Sequence, residues 1–321
     1  MYEILIANKR TGEVFDVTNS VTTASWSTER IAAPGKLTFT VLKAGELDFT
    51  EGDTVRLSED GELQFYGWVF TKVKDRYGVI EVTCYDRIRY LKANASYAFY
   101  DQTAGSIITQ IAEDLEIDVG EIDDTGYALP SLIATDQACI DTIQNALNQT
   151  LLNTGVIYLL FDNGNGLSLR EPANMRTNIM IGDTSYLGDY QYTTDIDKQT
   201  YNFVKLARPN EETGRADVVI AEDSETMYRW GKLQLYKQVD ESLNTAQMME
   251  QAKQTLQAYN RRRRTLTASA LGVPSLRAGQ MVYMKIDGLG DINLNQWMLI
   301  EKMTHTYTNH FHTMEFDLLE I

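Results

Sequence analysis

To about Asn94 the chain alternates apolar and polar positions in short segments broken by turns. Leu37, Phe39 and Val41 interleave with Thr38 and Thr40, the period of a strand with one face buried. Asp53-Thr54-Val55-Arg56-Leu57 alternates likewise and runs into Glu59-Asp60-Gly61-Glu62, where Asp-Gly marks a tight hairpin. Leu63 to Val73 and Val79 to Tyr85 continue the meander through a turn at Tyr77-Gly78. Strands this short and this regularly spaced predict a small barrel or sandwich.

Near Asp101 the period changes to that of a helix. Ile107, Ile108, Ile111 and Leu115 fall on one face behind Thr103, a residue suited to capping the first turn. After a loop rich in acid and glycine (Glu121 to Pro130), a second helix is expected from Asp136. Its face is marked by Ile140, Ile143, Leu147 and Leu151, and Gly155 stands where a helix C-terminus favours glycine. A hairpin follows: Val156 to Phe161, the turn Asp162-Asn163-Gly164-Asn165-Gly166, and Leu167 to Arg170. This middle section reads as α+β. Strands resume at Tyr201 to Ala207 and Ala216 to Ala221, and a third helix is expected from about Thr245 to Arg261, with Met248, Ala252, Leu256 and Tyr259 inward. The end is again β: Thr265 to Leu271, Gln280 to Ile286, Gln296 to Tyr307 and Thr313 to Leu319.

At 321 residues the chain exceeds what one core usually serves, so two or three domains are expected. A 43% hydrophobic fraction is enough for packed cores. Eighteen tyrosines suit half-buried strands and interfaces, where the ring packs and the hydroxyl stays wet. The net charge of −16 argues against stable nucleic-acid binding, which rests on clustered cations releasing counterions. Cys84 and Cys139 fit neither a zinc spacing nor a disulfide framework and read as reduced, buried thiols. The opening Met1 to Arg10 reads as a strand with its cations after the apolar run, the reverse of a signal peptide. The longest apolar run, Val156 to Phe161, is too short to span a bilayer, so no membrane insertion is expected and the chain is expected to be made in the cytoplasm.

No nucleophile elbow, Walker loop or His-Glu-x-x-His helix occurs in the sequence. His305, His310 and His312 gather near the C-terminus. His310 and His312 would share one face of an extended segment, but only Glu315 lies close as a further ligand, so no metal is expected. The carboxylate pairs Asp123-Asp124, Asp195 with Asp197, and Glu211-Glu212 arise readily in a chain with 45 acidic residues and read as solvated loops. Asp162 to Gly166 lacks EF-hand spacing and reads as a hairpin turn. Accordingly no catalytic residue, cofactor or enzymatic activity is expected. The run Arg261-Arg262-Arg263-Arg264 is the one strong basic feature. Its readings are cations at a helix C-terminus, a contact with an acidic neighbouring subunit, or a nucleic-acid patch.

The order of segments resembles the XkdQ/YqbQ family of prophage tail proteins, and more distantly the late-control protein D family and the T-even phage baseplate hub. The stretches that carry the resemblance are Glu51 to Leu57 followed by Phe65-Tyr66-Gly67-Trp68-Val69, the hairpin Val156 to Arg170, and Asn202-Phe203-Val204-Lys205 with Asp223-Ser224 and Trp230-Gly231. The last is Gly272-Val273-Pro274-Ser275-Leu276-Arg277-Ala278-Gly279-Gln280-Met281-Val282. The resemblance implies a β-rich α+β fold with two barrel-like β domains flanking an α+β section. Residues 1–95 would form a tube-like barrel, 96–198 the α+β part, and 199–321 a second barrel-like part with a helical insertion at about 222–264. It also implies a structural baseplate hub of a contractile tail or tail-like bacteriocin: a homotrimer joining the tail tube protein to the central spike protein beside other baseplate proteins. The hub would be assembled in the cytoplasm and released in the particle's baseplate. Some members of the family have been called hydrolases, so a peptidoglycan-cleaving enzyme of the tail tip is the alternative, and a cell-wall carbohydrate-binding module is a third. The four tryptophans, scattered along the chain, make the last a weaker match.

Overall fold

The computed structural model describes residues 1–43, 47–210, 215–239, 243–289, 292–308 and 311–320. The first section holds β1 (Tyr2–Ala7), β2 (Val14–Asp16), β3 (Val21–Glu29), β4 (Lys36–Leu42), β5 (Thr54–Glu59), β6 (Glu62–Lys74) and β7 (Val79–Tyr85). The middle holds β8 (Asn94–Thr103), α1 (Ala104–Asp114), β9 (Val119–Ile122), β10 (Ala128–Ala138), α2 (Cys139–Thr154), β11 (Leu159–Asp162) and β12 (Leu167–Arg170). Then come β13 (Arg176–Gly182), β14 (Leu187–Asp195), β15 (Phe203–Asn210), β16 (Arg215–Glu222), α3 (Ser224–Trp230), β17 (Gln234–Gln238) and α4 (Thr245–Tyr259). The chain ends in β18 (Arg263–Leu271), β19 (Met281–Leu289), β20 (Ile292–Thr308) and β21 (Phe311–Leu319).

The chain divides into two compact units. One comprises Met1–Leu147, Tyr158–Tyr192 and Leu266–Ile321; the other comprises Asn148–Ile157 and Thr193–Thr265. In the larger unit the alternation read from the sequence is realised. Leu37, Phe39 and Val41 point into a core with Ile4, Ile6, Val55 and Leu57, while Thr38 and Thr40 stay on the outer face. The hairpin between β5 and β6 turns on Asp60 and Gly61, both at positive φ, the conformation that Asp-Gly selects. Thr103 caps α1 by accepting from Ser106 N–H, and Ile107, Ile108 and Ile111 are wholly buried against β8, β10 and the β9–β12–β11 sheet.

The β-rich class expected from the sequence is what the structure shows, but the strands do not form two closed barrels. One 13-stranded sheet runs β14-β18-β21-β20-β3-β4-β7-β6-β5-β1-β2, with β19 on β20 and β13 on β19, and this path does not close among the described residues. The reason is β20, which is 17 residues long. Its first half pairs with β19, and its second half lies between β21 and β3, so the opening and closing sections of the chain share one sheet. Tyr307 of β20 is accordingly buried in the same core as Ile4 and Phe39.

In the smaller unit β15 lies between β16 and β17, and α4 covers one face, with Met248 and Ala252 against Val204, Leu206, Val219 and Ala221. A capping box starts α4: Asn244 accepts from Gln247 N–H, and the Gln247 side chain accepts from Asn244 N–H.

Candidate functional site

The stretches that carry the resemblance tie one element to another. In the larger unit, Gly272 to Val282 crosses from the last strands to the first section. Gly272 donates its N–H to His312 O at 2.8 Å, and the His312 ring lies where a Cβ on Gly272 would sit, so only glycine fits there. Ser275 N–H donates to Gln64 Oε1 at 2.8 Å, and Ala278 N–H donates to Thr28 Oγ1 at 2.9 Å. Arg277 lies over the Phe161 ring with its guanidinium carbon 4.6 Å from the centroid. Gly67, in the other signature, has no room for a Cβ either: it would fall 2.3 Å from Tyr85 O. In the smaller unit, the buried Asn202 accepts from Leu233 N–H and donates to Gly231 O, both at 2.8 Å, while Asp223 caps α3 through Thr226 N–H.

Two buried polar clusters stand beside the Gly272–Val282 crossing. In the first, Arg87 reaches both carboxylate oxygens of Asp162 at 3.2 Å and donates to Gly164 O at 3.0 Å and Asp118 Oδ2 at 3.3 Å. Asp162 is in the turn read from the sequence as a hairpin, and its Oδ1 also accepts from Gly164 N–H. Next to it, Asp86 accepts from Gly35 N–H at 2.8 Å and Ile88 N–H at 3.0 Å. Burial, and then the neighbouring Asp162 charge, hold the Asp86 carboxyl well above the usual range against the pull of Arg277. The cluster pins the end of β7 to the β11–β12 hairpin.

The second cluster is a relay. His305 Nε2 lies 2.7 Å from Leu276 O, and since a carbonyl only accepts, Nε2 carries the proton. Neutral His305 then accepts through Nδ1 from His312 Nε2–H at 2.8 Å. His312 Nδ1 faces Glu59 Oε1 at 3.0 Å, and Tyr307 hydroxyl donates to Glu59 Oε2 at 3.1 Å. The His305 ring stacks on Trp26 with centroids 4.9 Å apart. Burial, foremost, pushes its pKa down to about 4, and burial pushes the Tyr307 phenol up.

The histidine pair expected on one face of an extended segment was His310 with His312. His310 lies outside the described residues, and His312 meets His305 across the β20–β21 hairpin instead. The paired carboxylates hold turns. Asp123 accepts from Glu171 N–H at 3.1 Å and is ion-paired with Arg170; Asp124 accepts from Gly126 N–H at 2.9 Å; Asp195 accepts from Asp197 and Lys198 N–H at 3.2 and 3.0 Å. Glu211 and Glu212 lie outside the described residues. Cys84 and Cys139 are free and buried, and burial raises both thiols. The arginine run begins after α4 has ended at Tyr259, so the helix's last turn holds no cation. Arg261 and Arg262 are exposed, Arg263 donates to Gln199 Oε1 at 3.2 Å, and Arg264 is half-buried. No helix among the described residues is long and apolar enough to cross a membrane.

The sequence matches the YQBQ-like family over residues 24–319. The chain is 30% identical to the phage-like element PBSX protein XkdQ of Bacillus subtilis (strain 168) over 298 residues, covering 91% of this chain and 90% of that one. Among solved structures it is similar to the 43 kDa tail protein of prophage MuSo2 from Shewanella oneidensis, with a TM-score of 0.73, 14% identity and 98% of each chain covered. It is also similar to a component of the E. coli type VI secretion system that itself shows structural similarity to the T4 bacteriophage tail proteins gp27 and gp5. That likeness has a TM-score of 0.57 and 11% identity, over 94% of this chain and 74% of the other. At these identities the structural likenesses are likenesses of fold.

Proposed function

The chain belongs to the YQBQ-like family, and on that premise we propose that it is a tail protein serving as the structural hub of a contractile phage tail or tail-like particle. In this reading three copies join the tail tube protein to the central spike protein, among other baseplate proteins. Residues 1–95 and 199–321 form the two tube-facing parts, 222–264 the insertion, and 96–198 the connecting α+β part. The chain is assembled in the cytoplasm and leaves in the baseplate.

The observation that carries the reading is the two-way coverage: a tail protein's fold matches from one end of this chain to the other with almost nothing left over on either side. The likeness to a secretion-system component similar to tail proteins gp27 and gp5 supports the placement near tube and spike. The interior agrees with a scaffold role. The signature glycines and the buried clusters bind element to element, with Arg87 held on Asp162 and His312 on Glu59. In this reading the exposed Arg261 and Arg262 contact an acidic neighbour.

The test is deletion followed by complementation in a producing cell. Loss of complete tails, with free tubes and free spike protein accumulating, is expected. Complete tails of normal length in the deletion strain would overturn the proposal.

A further inference from the structure

The larger unit carries a cation-lined aromatic cleft of about 600 Å³ on the outer face of the first sheet. Its floor follows strand register: Lys36 of β4 pairs with Tyr85 of β7, with Phe70 of β6 beside them. Phe70 of β6 meets Tyr85 edge-on at 5.4 Å and Tyr90 at 5.8 Å. The short 3-10 helix Arg87–Lys92 forms one wall and supplies two more cations, with the Arg89 guanidinium 5.4 Å from the Phe70 ring and Lys92 exposed. Among the described residues no carboxylate pairs with Lys36, Arg89 or Lys92. The one acid of the lining, Glu29, is held by Lys302 at 2.7 Å.

Such a cleft is unusual on a chain of net charge −16. Unpaired cations beside half-exposed rings are the composition of a protein interface, and they want carboxylates and flat side chains. The same unit offers that complement. Among the described residues β14 lies at the end of the long sheet with only β18 beside it, and the segment leading into it and through its first residues exposes Asp183, Tyr186, Asp189 and Tyr190. Neither Asp183 nor Asp189 is ion-paired among the described residues; they accept only from Asp287 N–H and Tyr190 N–H, both at 2.8 Å.

We infer that the cleft docks the Asp183–Tyr190 edge of a second copy of this chain. This deepens the proposed hub reading and rests on it. The contact is head-to-tail, cleft of one copy on edge of the next, the kind that closes into a ring when the rotation per copy permits, where a self-complementary patch would stop at a pair. It also answers how like-charged chains associate: each junction sets the cleft's cations against unpaired acids and leaves the remaining acids facing outward.

The test is charge swapping with particle incorporation as readout. Arg89→Glu with Lys92→Glu is one variant, Asp183→Lys with Asp189→Lys another, and the four changes together a third. All four positions are solvent-reached, so unfolding midpoints are expected to match the unsubstituted chain, and this is checked first. Incorporation per particle should fall at least tenfold in each double variant and return to within twofold in the combination. Normal incorporation of either double variant, or loss in both without recovery in the combination, would overturn the docking while leaving the hub reading intact. An unsubstituted chain absent from particles would overturn the hub reading and the docking with it.

Discussion

Substituting His305 should remove a defined portion of the pH dependence of folding. His305 is 1% exposed and is held neutral, with its pKa near 4 where a free histidine titrates near 6.5. The folded state therefore resists a proton that the unfolded chain accepts. The stability tied to this group is complete above about pH 6.5 and is lost as pH falls toward 4. With these two values the loss is about 2 kcal/mol by pH 5 and about 3 kcal/mol by pH 4, from about 1.4 kcal/mol per pKa unit. The structural cause is visible in the relay: protonation puts a hydrogen on Nδ1, which then confronts His312 Nε2–H at 2.8 Å, two donors with no acceptor between them. The titratable groups around the ring are Glu59 and His312, with the Tyr307 hydroxyl one step beyond. His305→Gln can present an amide donor to Leu276 O and a carbonyl to His312, and it does not titrate. Urea unfolding followed by tryptophan fluorescence, to which Trp26 on the stacked ring contributes beside Trp68, Trp230 and Trp297, should show the unsubstituted chain losing about 2 kcal/mol more than His305→Gln between about pH 7.5 and pH 5. Equal losses in the two chains would refute the reasoning and mean that His305 is hydrated or already charged.

Three further outcomes follow from the packing. Arg87→Met leaves Asp162 buried without its cation and should cost about 3–5 kcal/mol, read as a lower urea midpoint; a change under about 1 kcal/mol would show the pair to be dispensable. Gly67→Ala places a methyl 2.3 Å from Tyr85 O and should cost about 1–3 kcal/mol by the same measurement, whereas Gly12→Ala, with open space around it, should show only the smaller cost of its positive φ. Arg261→Glu with Arg262→Glu should leave the midpoint within about 0.5 kcal/mol, since both are exposed, while lowering incorporation into particles; normal incorporation would remove the arginine run from the interface.

The strands and helices that bury one face were legible in the sequence because burial imposes a period. Ile107, Ile108 and Ile111 marked α1, and Leu37, Phe39 and Val41 marked β4. The ribbon of β8 and β10 was not legible. Pro130 and several small polar residues break its pattern, and its ladder passes over Pro130, pairing Leu129 with Gln102 and Ser131 with Tyr100. α2 begins at Cys139, three residues beyond the expected Asp136, whose positive φ falls at the register shift within β10, before the ladder resumes at Gln137. The short α3 was too brief to show a period; its signal was Asp223 as a cap. Both buried clusters were beyond a local reading, because they join residues far apart in the chain: Arg87 to Asp162, and Glu59 to His312. The motif residues Gly272 and Leu276 were visible as a resemblance, and their physical reason appears only when His312 and His305 are seen against them. The shared sheet was hidden in the length of β20, where two pairings follow one another along a single strand.

The most direct measurement of the hub reading is cryo-electron microscopy of particles from a producing cell that carries a tagged copy of this chain. The account predicts three tagged copies at the junction of tube and spike, with density fitted by this fold. Tails whose junction is complete while the tag is absent from them, or lies elsewhere on the particle, would contradict it.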